Sequence, residues 1–213
     1  MDVPHDLIVG YRRFREETFA RQARRYRALA QAQNSRTMVI GCADSRVDPA
    51  TIFSAAPGEL FIVRNIAALV PPFEETGSYH GTSAAIEFAV TSLNVENILV
   101  LGHGMCGGIA AALEAAEQRA VGRFIKSWVE LIAESRDELL DLEHIEPEAR
   151  QKALERIAIQ VSLSNLTTFP FISDAMEDGR LALHGAWFSI ADAELRWLDR
   201  DTGVFEQIDL GNP

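Results

Sequence analysis

Apolar positions along the chain follow two different periods, and their alternation predicts an α/β fold. Residues 37–43, 60–63 and 97–101 contain short, almost unbroken apolar runs: Thr37-Met38-Val39-Ile40, Leu60-Phe61-Ile62-Val63 and Ile98-Leu99-Val100-Leu101. Such runs mark strands buried on both faces. Elsewhere the apolar residues recur at helical spacing. Leu7, Tyr11, Phe14, Phe19, Ala23, Tyr26 and Ala30 predict a long helix over residues 7–32. Further helices are predicted over residues 82–93, 109–118, 124–140 and 147–168, the last carrying Leu154, Ile157, Val161 and Leu166. Pro49 opens a short helix with Asp48 as its cap, and residues 71–77 read as a loop. Residues 181–190 and 194–198 read as two more strands, joined by Ala191-Asp192-Ala193 as a hairpin. The expected architecture is a central, mostly parallel sheet of about five strands with an antiparallel C-terminal edge strand. Helices cover both faces, and a long N-terminal helical arm precedes them. No repeat, linker or low-complexity tract interrupts the 213 residues, so a single domain over 1–213 is expected.

Composition narrows the partners. The chain is 47% hydrophobic and 24% charged, as in a soluble globular protein. Its longest apolar stretch, residues 84–101, is broken by Glu87, Asn94, Glu96 and Asn97, so no membrane segment is expected. The first ten residues lack the basic-then-apolar order of a secretory signal, and neither Arg12-Arg13 nor Arg24-Arg25 is followed by an apolar region. A cytoplasmic location follows as the expectation. A net charge of −11 argues against a nucleic-acid partner. The charge is uneven, however: residues 1–36 hold eight Arg against four acids, a net of +4, and the remainder carries −15. That segment is either a solvated amphipathic helix or a basic arm lying on the acidic body of a second subunit.

Candidate chemistry sits at the ends of two apolar runs. Gly41-Cys42-Ala43-Asp44-Ser45-Arg46 follows the first, and Gly102-His103-Gly104-Met105-Cys106-Gly107-Gly108 follows the third. These are the chain's only two cysteines. In a reducing compartment a structural disulfide between them is not expected. Three readings remain: two inert buried thiols, a cysteine nucleophile activated by His103, or Cys42, His103 and Cys106 on one zinc ion. The first leaves the adjacent histidine and carboxylate without a purpose, and the second leaves one thiol unexplained. The zinc reading uses every group. His103 and Cys106 lie three residues apart across Gly104, close enough to reach one ion. The helix opening at Gly107-Gly108 favours thiolate at Cys106.

Asp44 has two possible partners, zinc or Arg46. If Arg46 holds it in a bidentate pair, three protein ligands leave a fourth zinc position for water, which becomes hydroxide near neutral pH. The carboxylate, an acceptor only, would then take the hydroxide's proton and turn a lone pair toward the electrophile. Two thiolates neutralise the metal's formal charge, so activity is expected to rise with pH above neutrality.

Taken together, Cys-x-Asp-Ser-Arg at 42–46 and His-x-x-Cys at 103–106 resemble the β-class carbonic anhydrases. Residues 61–67 and 85–90 resemble that family's second strand and the helix after it; the C-terminal run at 184–188 does so more loosely. The resemblance implies one Zn²⁺ per chain, held by Cys42, His103 and Cys106, and reversible hydration of carbon dioxide to bicarbonate. It implies the Asp44–Arg46 pair as gate and hydroxide-orienting element, with Asp44 a fourth ligand only in a closed state. Gln33 would offer an amide to substrate; Phe61, Ile66 and Phe88 would line an apolar pocket, partly from a neighbouring subunit; the Gly107 N–H would touch substrate. A homodimer or tetramer with residues 1–36 wrapped over the partner is implied too. Members that close under bicarbonate carry tryptophan three residues before the first cysteine. Here Val39 stands there, so no such closure is expected. The alternatives are hydrolysis of carbon disulfide or carbonyl sulfide at the same zinc, and a non-catalytic zinc or bicarbonate-binding module. His80 reads as a helix-capping or surface residue, His184 as structural, and Arg64-Asn65 as pinning the loop after the second strand.

Overall fold

A computed structural model describes residues 3–76 and 80–208. The end of the loop expected over 71–77 therefore lies outside the described residues. The core is one six-stranded sheet in the order β2-β1-β3-β4-β5-β6. The strands are β1 (Thr37–Cys42), β2 (Leu60–Asn65), β3 (Asn97–His103), β4 (Ala182–Ser189), β5 (Glu194–Leu198) and β6 (Phe205–Gln207). β1 to β4 pair in parallel, and β5 and β6 add on antiparallel. The antiparallel edge is thus two strands deep instead of one. β6 is three residues long with only Phe205 buried, too short for any alternation to show in the sequence.

β1 and β3 are almost wholly buried, as their unbroken apolar runs require. On one face Met38, Ile40, Ile98, Val100, Leu183 and Trp187 pack against α4 (Gly81–Glu87), α8 (Pro147–Leu166) and α9 (Pro170–Glu177). On the other, Val39, Leu99, Leu101 and Ala186 meet Ile52 of the short α3 (Pro49–Ile52), together with Phe53, Ile62 and Trp197. Asp48 caps α3 as expected, its carboxylate accepting from Thr51 N at 2.9 Å.

Three helical expectations change in detail. The arm runs as α1 (His5–Arg13), a π-helical stretch (Phe14–Phe19) and α2 (Ala20–Leu29), ending short of residue 32. None of its residues is buried, and Tyr11, Phe14, Phe19 and Tyr26 cluster with ring centroids 5.4–6.4 Å apart. The helix expected over 124–140 is α6 (Arg123–Val129), a 3₁₀ turn and α7 (Ala133–Leu140). α9 was not anticipated; Pro170 starts it at the first turn, where a missing N–H costs nothing.

The topology fixes where a site can form. From β1 the chain crosses to β2 on one side, then returns over β1 to β3 on the other. This reversal opens a crevice between the carboxyl ends of β1 and β3, the place where open parallel sheets bind ligands. Gly41 pairs with Leu101, so Cys42 and His103 end adjacent strands at that crevice.

Candidate metal centre

Local structure aims three donors at one point. Cys42 closes β1, and the loop behind it is tied down from β2. Arg64 donates through Nε to Cys42 O at 2.8 Å and through Nη2 to Asp44 O at 2.5 Å and Val47 O at 3.4 Å. Arg64 therefore pins the loop after the first strand rather than the one after its own. Asn65 holds its own turn, donating to Leu69 O at 2.8 Å. His103 closes β3, Gly104 N donates to Phe188 O at 2.9 Å, and Met105 takes a left-handed φ of 55°. That turn places Cys106 at the cap of α5 (Gly107–Ala116).

The Cys42 and Cys106 sulfurs lie 3.9 Å apart, and one donor atom from each of Cys42, His103 and Cys106 falls within 4.8 Å of the others. All three residues are buried, at 5%, 1% and 2% exposure. His103 Nδ1 lies 2.9 Å from Gly104 O. A carbonyl oxygen only accepts, so this contact puts the imidazole proton on Nδ1 and leaves the Nε2 lone pair free. Nε2 is buried and has no hydrogen-bond partner. An orphaned ring nitrogen facing two sulfurs fits a tetrahedral, thiolate-preferring ion such as zinc.

Backbone N–H groups favour the thiolate form of both sulfurs: those of Asp44 and Ala67 at Cys42, and those of Gly108 and Ile109 in the first turn of α5 at Cys106. Without a cation the two sulfurs cannot both ionise easily. The hydrogen bond from Cys106 lowers Cys42 to about 4, against the effect of burial. The same bond, burial and the Cys42 charge push Cys106 far up. Burial opposes charge on His103, but the Cys42 thiolate, the Gly104 carbonyl and Asp44 outweigh it and raise its pKa.

Asp44 is engaged by Arg46, not by the donor cluster. Arg46 donates from Nε to Oδ1 at 2.9 Å, from Nη2 to Oδ2 at 2.6 Å and from its backbone N to Oδ1 at 3.0 Å. Arg46 Nη2 also reaches Met105 O at 3.1 Å, which ties the pair to the opposite loop. Arg46 first, aided by its backbone N–H and the charge of His103, holds the Asp44 carboxyl well below the usual carboxylate range. Asp44 is thus an acceptor throughout the neutral range. Its Oδ2 lies 4.0 Å from His103 Nε2, beside the cluster.

The five residues expected to contact substrate fall in three places. Ile66 and Gly107 border the centre: Ile66 packs against Gly108, and Gly107 opens α5 directly behind Cys106. Phe61 and Phe88 stack with ring centroids 5.8 Å apart. Phe61 pairs with Met38, four residues from the Cys42 end of the ladder; at about 3.3 Å per residue that is about 13 Å from the donor cluster of its own chain. Gln33 is exposed at the foot of the arm. Sequence reading missed Glu155 and Gln151, which bond Cys106 from α8. A signal existed: Glu155 shares an inward stripe with Ile159, Ser162, Leu163 and Leu166.

A cysteine-histidine-cysteine cluster at a parallel-sheet crevice, beside a carboxylate held by arginine, defines an α/β protein with a donor set compatible with zinc. Residues 37–195 match a family described as carbonic anhydrase. Beta carbonic anhydrase 3 of Arabidopsis thaliana is 35% identical over 88% of this chain and 74% of its own length. The chloroplastic beta carbonic anhydrase 5 of that plant is 37% identical over 90% of this chain, and the match spans 63% of that longer protein. The structure of the β-carbonic anhydrase CcaA superposes with a TM-score of 0.89 at 30% identity, covering 95% of this chain and 98% of that one. A tetrameric β-carbonic anhydrase of Sordaria macrospora gives 0.79 at 27% identity, covering 92% and 96%. The chain belongs to the β-carbonic anhydrase family. No helix among the described residues is long and apolar enough to cross a membrane. Relatives include proteins named chloroplastic and mitochondrial, so kinship does not fix a compartment.

Proposed function

We propose that the protein is a zinc enzyme catalysing the reversible hydration of carbon dioxide to bicarbonate and a proton. The observation that carries this reading is the convergence of Cys42, His103 and Cys106 while Arg46 keeps Asp44 out of the cluster. Cys42 Sγ, His103 Nε2 and Cys106 Sγ would hold the ion. When bound, zinc supplies Lewis acidity that makes water a nucleophile near neutral pH.

The chain's own groups do the rest. Asp44, kept as an acceptor by Arg46, would orient the attacking water by accepting a hydrogen bond from it. Arg46 fixes the carboxylate and, through Met105 O, couples it to the loop carrying Cys106. Ile66 and the Gly107 N–H are the substrate contacts nearest the centre. The Phe61–Phe88 pair and Gln33 would serve a site only across a subunit boundary. That requirement supports a homodimer or tetramer in which residues 1–36, whose helical stretches bury none of their residues in the single chain, lie on the partner. Arg64 spends its donors on loop carbonyls, in line with a site that bicarbonate does not close. A cytoplasmic location completes the reading.

The test is metal content and carbon dioxide hydration on one sample. One zinc per chain, activity abolished by chelation and a rate that climbs from pH 6 to 9 are expected. Metal-free protein with full activity, or a rate flat across that range, would refute it.

A further inference from the structure

Glu155 is the one carboxylate among the described residues that is fully buried, at 3% exposure, and it makes no ion pair among them. A carboxylate in that position is costly unless its lone pairs are met. Here they are met by three neutral N–H donors. Oε1 accepts from Cys106 N at 3.0 Å and Gln151 Nε2 at 3.2 Å, and Oε2 accepts from Trp187 Nε1 at 3.0 Å. Gln151, one helical turn earlier, also reaches Cys106 O at 3.4 Å. Two side chains of α8 therefore clasp both peptide groups of a metal-ligating residue.

We propose that Glu155 is a positioning residue, locking the Met105–Cys106 peptide so that Cys106 Sγ faces the metal and Met105 O faces Arg46. This inference rests on the metal-site reading above. The peptide concerned is bound at both ends: its N–H goes to Glu155, and its carbonyl accepts from Arg46 at 3.1 Å. It follows Met105, whose φ of 55° a side chain disfavours, so the turn needs an outside hold to keep one orientation. Glu155 supplies that hold from rigid elements, with β4 fixing its second oxygen through the Trp187 indole. Glutamine cannot substitute. It offers one acceptor where two oxygens are needed, and its amide N–H would meet either the Cys106 N–H or the Trp187 N–H. Hence the role is positional, and it connects the Asp44–Arg46 pair to the core through one peptide plane.

The experiment compares Glu155→Gln, Trp187→Phe, the double variant E155Q/W187F and Leu166→Ala in zinc-loaded protein. Leu166, on the same helix and fully buried, is the control for lost stability alone. Two readouts are used: the rate of zinc release to a chromophoric chelator, and the visible spectrum of the cobalt(II)-substituted protein. E155Q is expected to release zinc about 10–100-fold faster and to shift the cobalt bands. The double variant should recover most of that loss, because removing the indole N–H lets the glutamine carbonyl face Cys106. L166A should lower the melting temperature without moving either readout. Should E155Q fail to fold, W187F alone is expected to speed zinc release and shift the cobalt bands where L166A does neither, since it frees one Glu155 oxygen. Wild-type release rates and spectrum in both E155Q and W187F, or equal effects from E155Q and L166A, would overturn the inference. Wild-type protein that holds no zinc would instead overturn the metal-site reading beneath it.

Discussion

Replacing Gly108 with alanine tests whether the two loops of the centre are packed as tightly as the coordinates imply. A methyl at Gly108 would lie 2.7 Å from Ile66 Cγ2, 3.0 Å from Ala67 Cβ and 3.2 Å from Ala67 N. Carbon atoms in contact sit about 3.5–4.0 Å apart, so something must withdraw by roughly half an ångström to an ångström. The Ile66 side chain can rotate. The Ala67 backbone cannot easily follow, because Ala67 and Ala68 are buried in left-handed conformation with φ of 63° and 55°. Overpacking of this kind costs about 1–3 kcal/mol, which for a chain of this size is a fall in Tm of about 2–12 °C. A second effect reaches the donor cluster: the Ala67 N–H favours the Cys42 thiolate, so displacing the turn should hasten zinc loss. Gly107 is the internal control, since nothing lies within 4 Å of a methyl placed there. Thermal melts of both variants, with zinc release to a chelator, make the comparison. G107A should melt like wild type, and G108A should be less stable and leak zinc. Equal behaviour of the two variants would refute the reasoning.

Asp44→Asn removes the acceptor while keeping the shape, so hydration measured by stopped flow should fall by about 10²-fold or more with zinc content unchanged; a rate within about threefold of wild type would remove Asp44 from the mechanism. Burial, the bond to Cys42 and the Cys42 charge push Cys106 far up, so it holds its proton near neutral pH in the metal-free protein and zinc must displace it. Apparent zinc affinity should therefore strengthen with rising pH, by about one decade per unit for that one proton, while Cys42, lowered to about 4, adds to that slope only in acid; affinity constant from pH 6 to 8 would contradict this. Deleting residues 1–24, upstream of the Arg25–Glu59 contact that anchors the arm's end at 2.9 Å, should give a smaller species in sedimentation. An unchanged assembly would separate the arm from oligomerisation.

The parallel strands were legible because burial on both faces leaves an unbroken apolar run, and β1 and β3 carry such runs. β6 and α9 were not. The first buries one side chain of three, and the second begins at a proline that reads as a stop as readily as a start. The three donors of the cluster were legible as residue types at strand ends, but their meeting depends on strand order. Only the reversal between β2 and β3 makes β1 and β3 neighbours. Contacts made by Arg64 and Glu155 lay further out of reach, because each spans 17–49 residues and engages backbone atoms that leave no trace in side-chain pattern.

The same contacts explain why Asp44 is held off the donor cluster. Turning toward His103 Nε2, 4.0 Å away, its carboxylate would forfeit two side-chain bonds and one backbone bond from Arg46. Arg46 would keep only Met105 O. The loop cannot shift as a body to spare those bonds, because Arg64 holds its carbonyls at Cys42, Asp44 and Val47. Closure therefore requires a broken ion pair and a strained loop together. An open centre is the arrangement in which both sets of bonds coexist.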